Sequence, residues 1–401
     1  MVGEMAKRTP MSKWDVNRAE ILNAVVEEKV TLKYAAKRLQ LSYRQAKRLL
    51  KRYREEGAAG IVHRNVGRPS HRRIDEQTRQ RVLALHRERY SDFGPTLAAE
   101  KLLERDGIRV DHETLRRWLI AEGVYQHRRR GRVYRSRRPR RQRFGELVQF
   151  DGSHHEWFEQ RGERSCVMNM VDDATGTTFA LMSEEETTEA AMWLLWGWIE
   201  RYGIPEAVYC DRKNSFLIDR EPTIEEQLSG RRPMSPFELA CERLGIEVIA
   251  AGSPQAKGRV ERSHGVYQDR FVKELRLADI STIEQANRFL TETYLPSVNS
   301  KFAIEPVNSE NAHVSLLPHQ SLKDIFCFEE QRVVSQDYVI RYHNRLFQLT
   351  PTKGVRLPKP NTRVTVRRRL DKSIHILSND RRLAYEDITP TQKEERSQRS
   401  A

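Results

Sequence analysis

The chain has 401 residues, enough for two to four domains with at least one sizeable core. Lysine and arginine number 71 against 56 acidic residues, and the formal net charge of +15 favours a polyanionic partner, either nucleic acid or an anionic membrane surface. No apolar run approaches the roughly 18 to 20 residues of a membrane span, and no apolar signal core opens the chain, so a cytoplasmic protein with no membrane partner is expected. Cys166, Cys210, Cys241 and Cys327 are too widely spaced for a zinc knuckle. They read as free, partly buried thiols, without disulfide or structural zinc.

After a basic start, residues 1–57 carry three helical patterns. Ile21, Leu22, Val25 and Val26 make the first stripe. Thr31 opens a second helix through Ala35, Ala36 and Leu39, and Ser42 caps a third with Ala46, Leu49, Leu50 and Tyr53 inside. Two short helices joined by a tight turn are a helix-turn-helix, whose second helix enters the DNA major groove by its N-terminal end. That helix would present Tyr43, Arg44, Gln45, Lys47, Arg48 and Lys51, a mixture of base readers and phosphate binders. A basic three-helix bundle with a solvated charged face is the competing reading.

Residues 58–75, with several glycines and Gly67-Arg68-Pro69, read as a linker. Residues 76–127 repeat the helical outline. Val82, Leu83 and Leu85 lie on one helix, Leu97, Ala98, Leu102 and Leu103 on the next, and Asp111 caps a last helix with Leu115, Trp118 and Leu119. Its candidate reading residues are His112, Thr114, Arg116 and Arg117, with Glu113 among them. Residues 128–144 are dominated by arginine, including Arg128, Arg129, Arg130, Arg132 and Arg135. So dense a charge cannot form a core and suits a tether that follows the DNA backbone, or a nuclear-localisation or RNA-binding run.

From residue 145 to 276 the composition is that of an α/β domain. Leu147, Val148 and Phe150 form a strand-like apolar run that ends in Asp151, followed by Gly152 and Ser153. Desolvating a carboxylate costs several kcal/mol unless a cation or donors compensate, so Asp151 either faces a metal or a cleft or caps a turn. Residues 166–171 and 177–182 continue as a meander around Asp172 and Asp173, which read as turn-formers. A helix over 187–202 and a strand over 207–210 follow, with Asp211 at the strand's end either in a site or capping the next turn. Residues 214–233 look like an inserted loop, before a helix near 237–244 and a strand at 246–250.

Ser253 and Pro254 then announce another helix, on which Lys257, Glu261, His264 and Gln268 share one stripe and Val260, Tyr267 and Phe271 the next. Lys257, Arg259 and Arg262 are candidate DNA contacts, although Lys257 paired with Glu261 is the bland alternative. His154 and His155, close to Asp151, could serve a metal or a proton, or simply face solvent or DNA. Three carboxylates on two strands and a helix, with substrate phosphates, could offset two Mg²⁺ ions roughly 4 Å apart, and such chemistry demands no protein nucleophile. Residues 277–329 read as a helical and irregular connector, 330–388 as a small barrel of five strands with Arg363, Arg367, Arg368 and Arg369 as DNA contacts, and 389–401 as a disordered tail.

The order of strands and helices around Asp151, Asp211 and Glu261 resembles the DDE transposase and retroviral integrase superfamily. More closely, Gln149-Phe150-Asp151-Gly152-Ser153, His155 with Trp157-Phe158, Asp172-Asp173-Ala174-Thr175 and the stretch from Ser253 to Arg262 resemble insertion-sequence transposases of the ISNCY group. The resemblance implies helix-turn-helix N-terminal domains, an α/β RNase H-like catalytic core and a small all-β C-terminal barrel. It further implies end cleavage and strand transfer dependent on two Mg²⁺ ions, with Mn²⁺ able to substitute, and a catalytic and metal-binding triad of Asp151, Asp211 and Glu261. The partners implied are double-stranded DNA, as terminal repeats and as target, and further copies of the chain, since two ends must be joined. The spacing of about fifty residues from Asp211 to Glu261 is longer than is common in the superfamily, and Arg212-Lys213-Asn214 stands where relatives more often have Lys-His. A metal-dependent nuclease or phage integrase of the same fold is the alternative enzyme. A DNA-binding regulator with a dead site is the alternative of another class.

Overall fold

A computed structural model describes residues 13–62, 73–126, 138–211, 216–218, 223–228, 230, 233–250, 258–352 and 355–389. The chain divides into two compact units, residues 1–127 and 128–401.

In the first unit α1 (Lys13–Val26), α2 (Leu32–Arg38) and α3 (Tyr43–Glu56) enclose Leu22, Val25, Ala35, Leu49 and Leu50. The caps fall where the sequence places them. Thr31 Oγ1 accepts the Tyr34 N–H at 3.2 Å, and Ser42 and Gln45 form a reciprocal capping box. The expected linker, however, begins too early at residue 58. Residues 57–61 form a 3-10 turn that drives Ile61, 1% exposed, into this core. Gly60 permits it, because a Cβ there would lie 2.5 Å from the Arg52 carbonyl oxygen.

The same unit continues with α4 (Glu76–Arg89), α5 (Pro95–Asp106) and α6 (His112–Ala121). Asp75 and Asp111 cap α4 and α6, and Gly107 ends α5 in the left-handed region. The fully buried Tyr90 donates its hydroxyl to Asp106 at 2.8 Å. Leu103, expected inside, is 51% exposed, because the buried face of α5 runs through Leu97, Ala98 and Leu102.

The second unit is built on β1 (Val148–His155), β2 (Ser165–Asp172), β3 (Thr178–Ser183), β4 (Ala207–Cys210) and β5 (Glu247–Ala250), ordered β3-β2-β1-β4-β5. The first three are antiparallel, whereas β4 runs parallel to β1 and β5 parallel to β4. This is the expected RNase H-like arrangement. Helices α7 (Thr188–Tyr202) and α9 (Pro236–Leu244) cover one face, where Val148, Phe150, Leu194, Trp198, Phe237 and Cys241 meet. Between β4 and α9 the chain forms the short α8 (Ile224–Leu228). All four cysteines are free and buried, as expected.

The other face carries α10 (Gly258–Leu277), α11 (Ile283–Phe289) and α12 (Leu295–Phe302). Leu290, Tyr294, Leu295 and Val298 pack there with Trp157 and Phe271, so the first half of the expected connector belongs to the core. Between α11 and α12 the backbone takes a π-helical turn over Leu290–Tyr294, immediately before Pro296. A proline lacks the N–H for the regular ladder and its ring crowds the carbonyl four residues back, which the wider turn relieves. The expected irregular stretch thus begins only after Phe302.

The chain ends in α13 (Leu322–Ile325) and six strands, β6 (Cys327–Val333), β7 (Val339–Tyr342), β8 (Arg345–Thr350), β9 (Arg363–Arg369), β10 (Ile374–Ser378) and β11 (Arg381–Asp387). Their order, β6-β9-β10-β11-β8-β7, is antiparallel throughout and makes a nearly closed barrel around Ile340, Phe347, Val366 and Ile376. The strand not expected is β11, in which only Leu383 is buried, so no apolar run announces it. Among the described residues no helix is long and apolar enough to cross a membrane.

Candidate active site and DNA-binding surfaces

Alternation along β1 sorts its side chains between the two faces of the sheet. Val148 and Phe150 enter the core beneath α7 and α9, while Gln149, Asp151 and Ser153 face α10. Residues along that helix meet them in order. Gln149 Oε1 accepts the Val260 N–H at 3.2 Å, His264 Nδ1 lies 3.8 Å from Asp151 Oδ2, and Gln268 Nε2 donates to Ser153 Oγ at 3.0 Å. Positions 260, 264 and 268 are spaced by four, one turn of helix at a time. His264 therefore joins the buried face with Val260, Tyr267 and Phe271, whereas Glu261 at the head of the helix is exposed. The single stripe expected for Glu261 and His264 is divided in two.

The parallel pairing of β1 with β4 sets Val148 beside Val208 and Gln149 beside Tyr209. Asp151 and Asp211 each stand two residues beyond the Gln149–Tyr209 pair, Asp211 directly after the end of β4. On its other side Asp151 pairs with Asn169, whose amide donates to Ser263 of α10 at 2.8 Å. Asp151 is 17% exposed at its side chain. Oxygen donors of this kind suit a hard dication such as Mg²⁺ or Mn²⁺. Among the described residues no group of three or more His, Cys, Asp and Glu side chains is drawn together into a metal-holding cluster.

Asp172 and Asp173 do more than form a turn. Asp172, fully buried, accepts the Gly145 N–H at 2.9 Å and the Thr175 N–H at 2.7 Å. Burial raises its pKa above the usual carboxylate value, against those donors. Asp173, also fully buried, accepts from Arg138, from Arg259 Nε at 2.7 Å, from Gln149 Nε2 at 2.8 Å and from the Arg141 N–H at 2.8 Å. Arg259, expected on DNA, is partly buried with its guanidinium on Asp173. Neither Gln149 nor Asp173 was singled out by their chemistry, although an amide within the apolar run Leu147-Val148-Gln149-Phe150 is the signal, because a buried polar group requires partners.

His154 is exposed with Nε2 3.8 Å from Glu186, and the His155 ring meets Trp157 edge to face at 5.2 Å. The carboxyl carbon of Glu186 would lie 2.8 Å from a Cβ at position 152, so glycine beside Asp151 makes room for it.

On α3, Tyr43, Arg44, Lys47, Arg48 and Lys51 are exposed, as a DNA-reading face requires. Gln45 is exposed as well, and its carbonyl oxygen receives the Ser42 N–H at 3.0 Å, which engages that end of the amide in the cap. On α6, His112 is exposed and Thr114 half-buried. Arg116 grips Glu113 through two bonds of 2.6 and 2.7 Å, and Arg117 reaches the same carboxylate at 3.3 Å. Hydrogen bonds from these guanidiniums, that of Arg116 foremost, hold Glu113 down to about 2.

Arg262 is exposed on α10. Arg128, Arg129, Arg130, Arg132, Arg135 and Lys257 lie outside the described residues. In the barrel, the arginines of β9 have partners within the unit. Arg369 binds Asp324 at 2.5 Å, Arg367 binds Glu329 at 2.8 Å, and Arg368 approaches Glu189 at 3.4 Å while covering the Phe328 ring. Three of the four cations expected on DNA fasten the barrel to the core instead.

Residues 17–70 match the helix-turn-helix domain family, and residues 45–119 the homeodomain-like domain family. The chain is 39% identical over 348 residues to the transposase-family protein y4bF of Sinorhizobium fredii, a match that takes in 86% of this chain and 75% of that one. It is 28% identical over 370 residues to the transposase for insertion sequence IS1202 of Streptococcus pneumoniae, covering 82% of this chain and 76% of the other. Among solved structures, the HTLV-2 integrase catalytic core domain in complex with magnesium is similar over 39% of this chain and 88% of its own, at 18% identity and a TM-score of 0.29. A simian T-cell lymphotropic virus intasome chain is similar over 77% of this chain and all of its own, at 14% identity and a TM-score of 0.34.

Proposed function

Because the chain belongs to the transposase family, within the DDE transposase and integrase superfamily, we propose that it is the transposase of an insertion sequence, cleaving the element's ends and joining them to target DNA. The observation that carries this reading is the parallel pairing of β1 with β4, in which Asp151 and Asp211 each stand two residues beyond the Gln149–Tyr209 pair, together with the helix whose first turns bear Glu261. In this reading the three carboxylates hold divalent metal, Mg²⁺ with Mn²⁺ able to replace it. A pair of such ions held there would supply activation of an attacking water or 3′-hydroxyl and stabilisation of the departing oxygen. The protein's own part is positional. β1 and the end of β4 supply two acids, α10 brings the third, and no side chain forms a covalent bond to DNA.

The exposed cations of α3 and the N-terminal residues of α6 bind the terminal repeats, two reading helices covering a longer site than one. Arg262 and the arginines from Arg128 to Arg135 contact backbone phosphates near the reaction, whereas Arg138, Arg141 and Arg143, expected in the same tether, are bonded to Asp173, Glu146 and Glu206. The protein works in the cytoplasm as an oligomer on DNA, because two ends are joined in one event.

The test is a plasmid-to-plasmid transposition assay, with the DNA flanking the gene as donor ends and with junction sequencing, comparing wild type with Asp151→Asn. Junctions from wild type alone support transposition and the role of Asp151. Junctions from both remove Asp151 from the chemistry, and cleaved DNA without joined products favours a nuclease.

A further inference from the structure

The first N–H groups of a helix have no partner within it and are met by a cap, by water or by another element. In α10 the Val260 N–H is met by Gln149 of β1, a residue with no exposed surface. The other end of the same amide donates to Asp173 at 2.8 Å. The orientation of the Gln149 amide is fixed by its neighbours: a backbone N–H can only donate and a carboxylate only accept, so the oxygen must face α10 and the nitrogen Asp173. Asp173 also holds Arg259, the residue before Val260. Two consecutive residues of the helix are therefore fastened to the sheet, and the next one is Glu261. On the strand side Gln149 stands two residues before Asp151 and pairs with Tyr209, two residues before Asp211.

We infer that Gln149, oriented by Asp173, is a positioning residue that sets the head of α10, and with it Glu261, against the strands that carry Asp151 and Asp211. This rests on the proposed assignment of those three carboxylates to divalent metal. Gln149 does not itself touch metal or DNA. It ties the head of α10 to β1, so that metal binding has only to draw in side chains from elements already held together; loosening it leaves the acids present without that hold.

The experiment titrates the full-length protein with Mn²⁺ alone and follows the free ion by electron paramagnetic resonance, comparing wild type with Gln149→Met, Asp173→Asn, Gln268→Ala and Asp151→Asn. Methionine keeps the volume and removes both hydrogen bonds. Partners that orient metal ligands typically alter affinity about 10- to 100-fold, and Gln149→Met is expected to weaken Mn²⁺ binding by that amount. Asp173→Asn should give a smaller loss in the same direction, and it carries the test if Gln149→Met does not fold, as judged by circular dichroism. Gln268→Ala removes a different bond between α10 and β1 and should leave affinity within about twofold of wild type, a difference that loss of general stability would not produce. Wild-type affinity in Gln149→Met and Asp173→Asn, alongside loss of binding in Asp151→Asn, overturns the inference alone. Unchanged binding in Asp151→Asn overturns the metal assignment beneath it.

Discussion

The indole N–H of Trp198 donates to Nε2 of His313 across 3.0 Å, tying the middle of α7 to the segment that leads toward the barrel. That imidazole nitrogen can accept only while unprotonated, and Nδ1, 2.7 Å from Asn311 Oδ1, then carries the hydrogen. Burial holds His313 below its ordinary value, from 6.5 to about 4. The unfolded chain therefore binds the extra proton first, and stability present above pH 6.5 is lost as pH falls toward 4. Urea denaturation across this interval should show a progressive loss in the wild type and a flatter profile in His313→Gln. Equal slopes would contradict it.

The cap of α3 is separable from any contact with DNA. Ser42→Ala should lower stability by about 1 kcal/mol, read as a reduced denaturation midpoint of residues 13–126. Replacement of Gln45 by Ala should likewise weaken the helix while leaving base preference in a binding-site selection unchanged, since its carbonyl oxygen is engaged by the Ser42 N–H. A changed preferred sequence would restore Gln45 as a reader.

Arg44→Ala, Lys47→Ala and Arg48→Ala should each reduce DNA affinity. For every phosphate that a variant no longer neutralises, the slope of log affinity against log salt should become shallower by about 0.9. Arg259→Ala, whose guanidinium meets Asp173, should leave that slope unchanged at the level of end binding.

Glu329 is shared by Arg243 at 2.6 Å and Arg367 at 2.8 Å. Burial works against its ionised form, yet the two guanidiniums prevail and hold it below the usual carboxylate range. Glu329→Ala removes both bonds and leaves two half-buried cations, a loss of about 2 kcal/mol for charge-assisted hydrogen bonds of this kind. Differential scanning calorimetry should register it as a lower transition for the second unit. The contribution disappears on acidification below the carboxylate range, beneath the window in which His313 titrates.

Asp151→Asn, Asp211→Asn and Glu261→Gln should each abolish strand transfer while leaving binding to the element ends within about twofold of wild type, because α3 and α6, the helices proposed to read the ends, lie in the other unit. Gel-shift and junction assays on the same preparations separate the two properties. Loss of end binding in all three would end this division of labour.

What could be read directly from the residues was local. Thr31, Ser42 and Asp111 cap the helices they were expected to open or cap, because a cap is decided within three residues. Asp151 was legible as a carboxylate closing an apolar run, but the strand does not end there: β1 continues through Gly152 and Ser153 to His155. What stayed hidden depends on residues that meet only after folding. Gln149 touches Asp173 and Val260 across long stretches of chain, and Arg259, Arg367 and Arg369 look like DNA contacts until their acidic partners arrive. β11 has no apolar run because only Leu383 and Tyr385, two residues apart, pack against the barrel core while charged residues flank them.

The ion pairs from β9 to Glu189, Asp324 and Glu329 bear on how such proteins can exchange parts. A barrel transplanted from a relative would bring cations whose counterparts sit on α7, just ahead of β6 and on β6 itself. A functional chimera should therefore be spliced upstream of α13 and carry a carboxylate at position 189, since a junction at the first barrel strand would separate Asp324 from its two arginines.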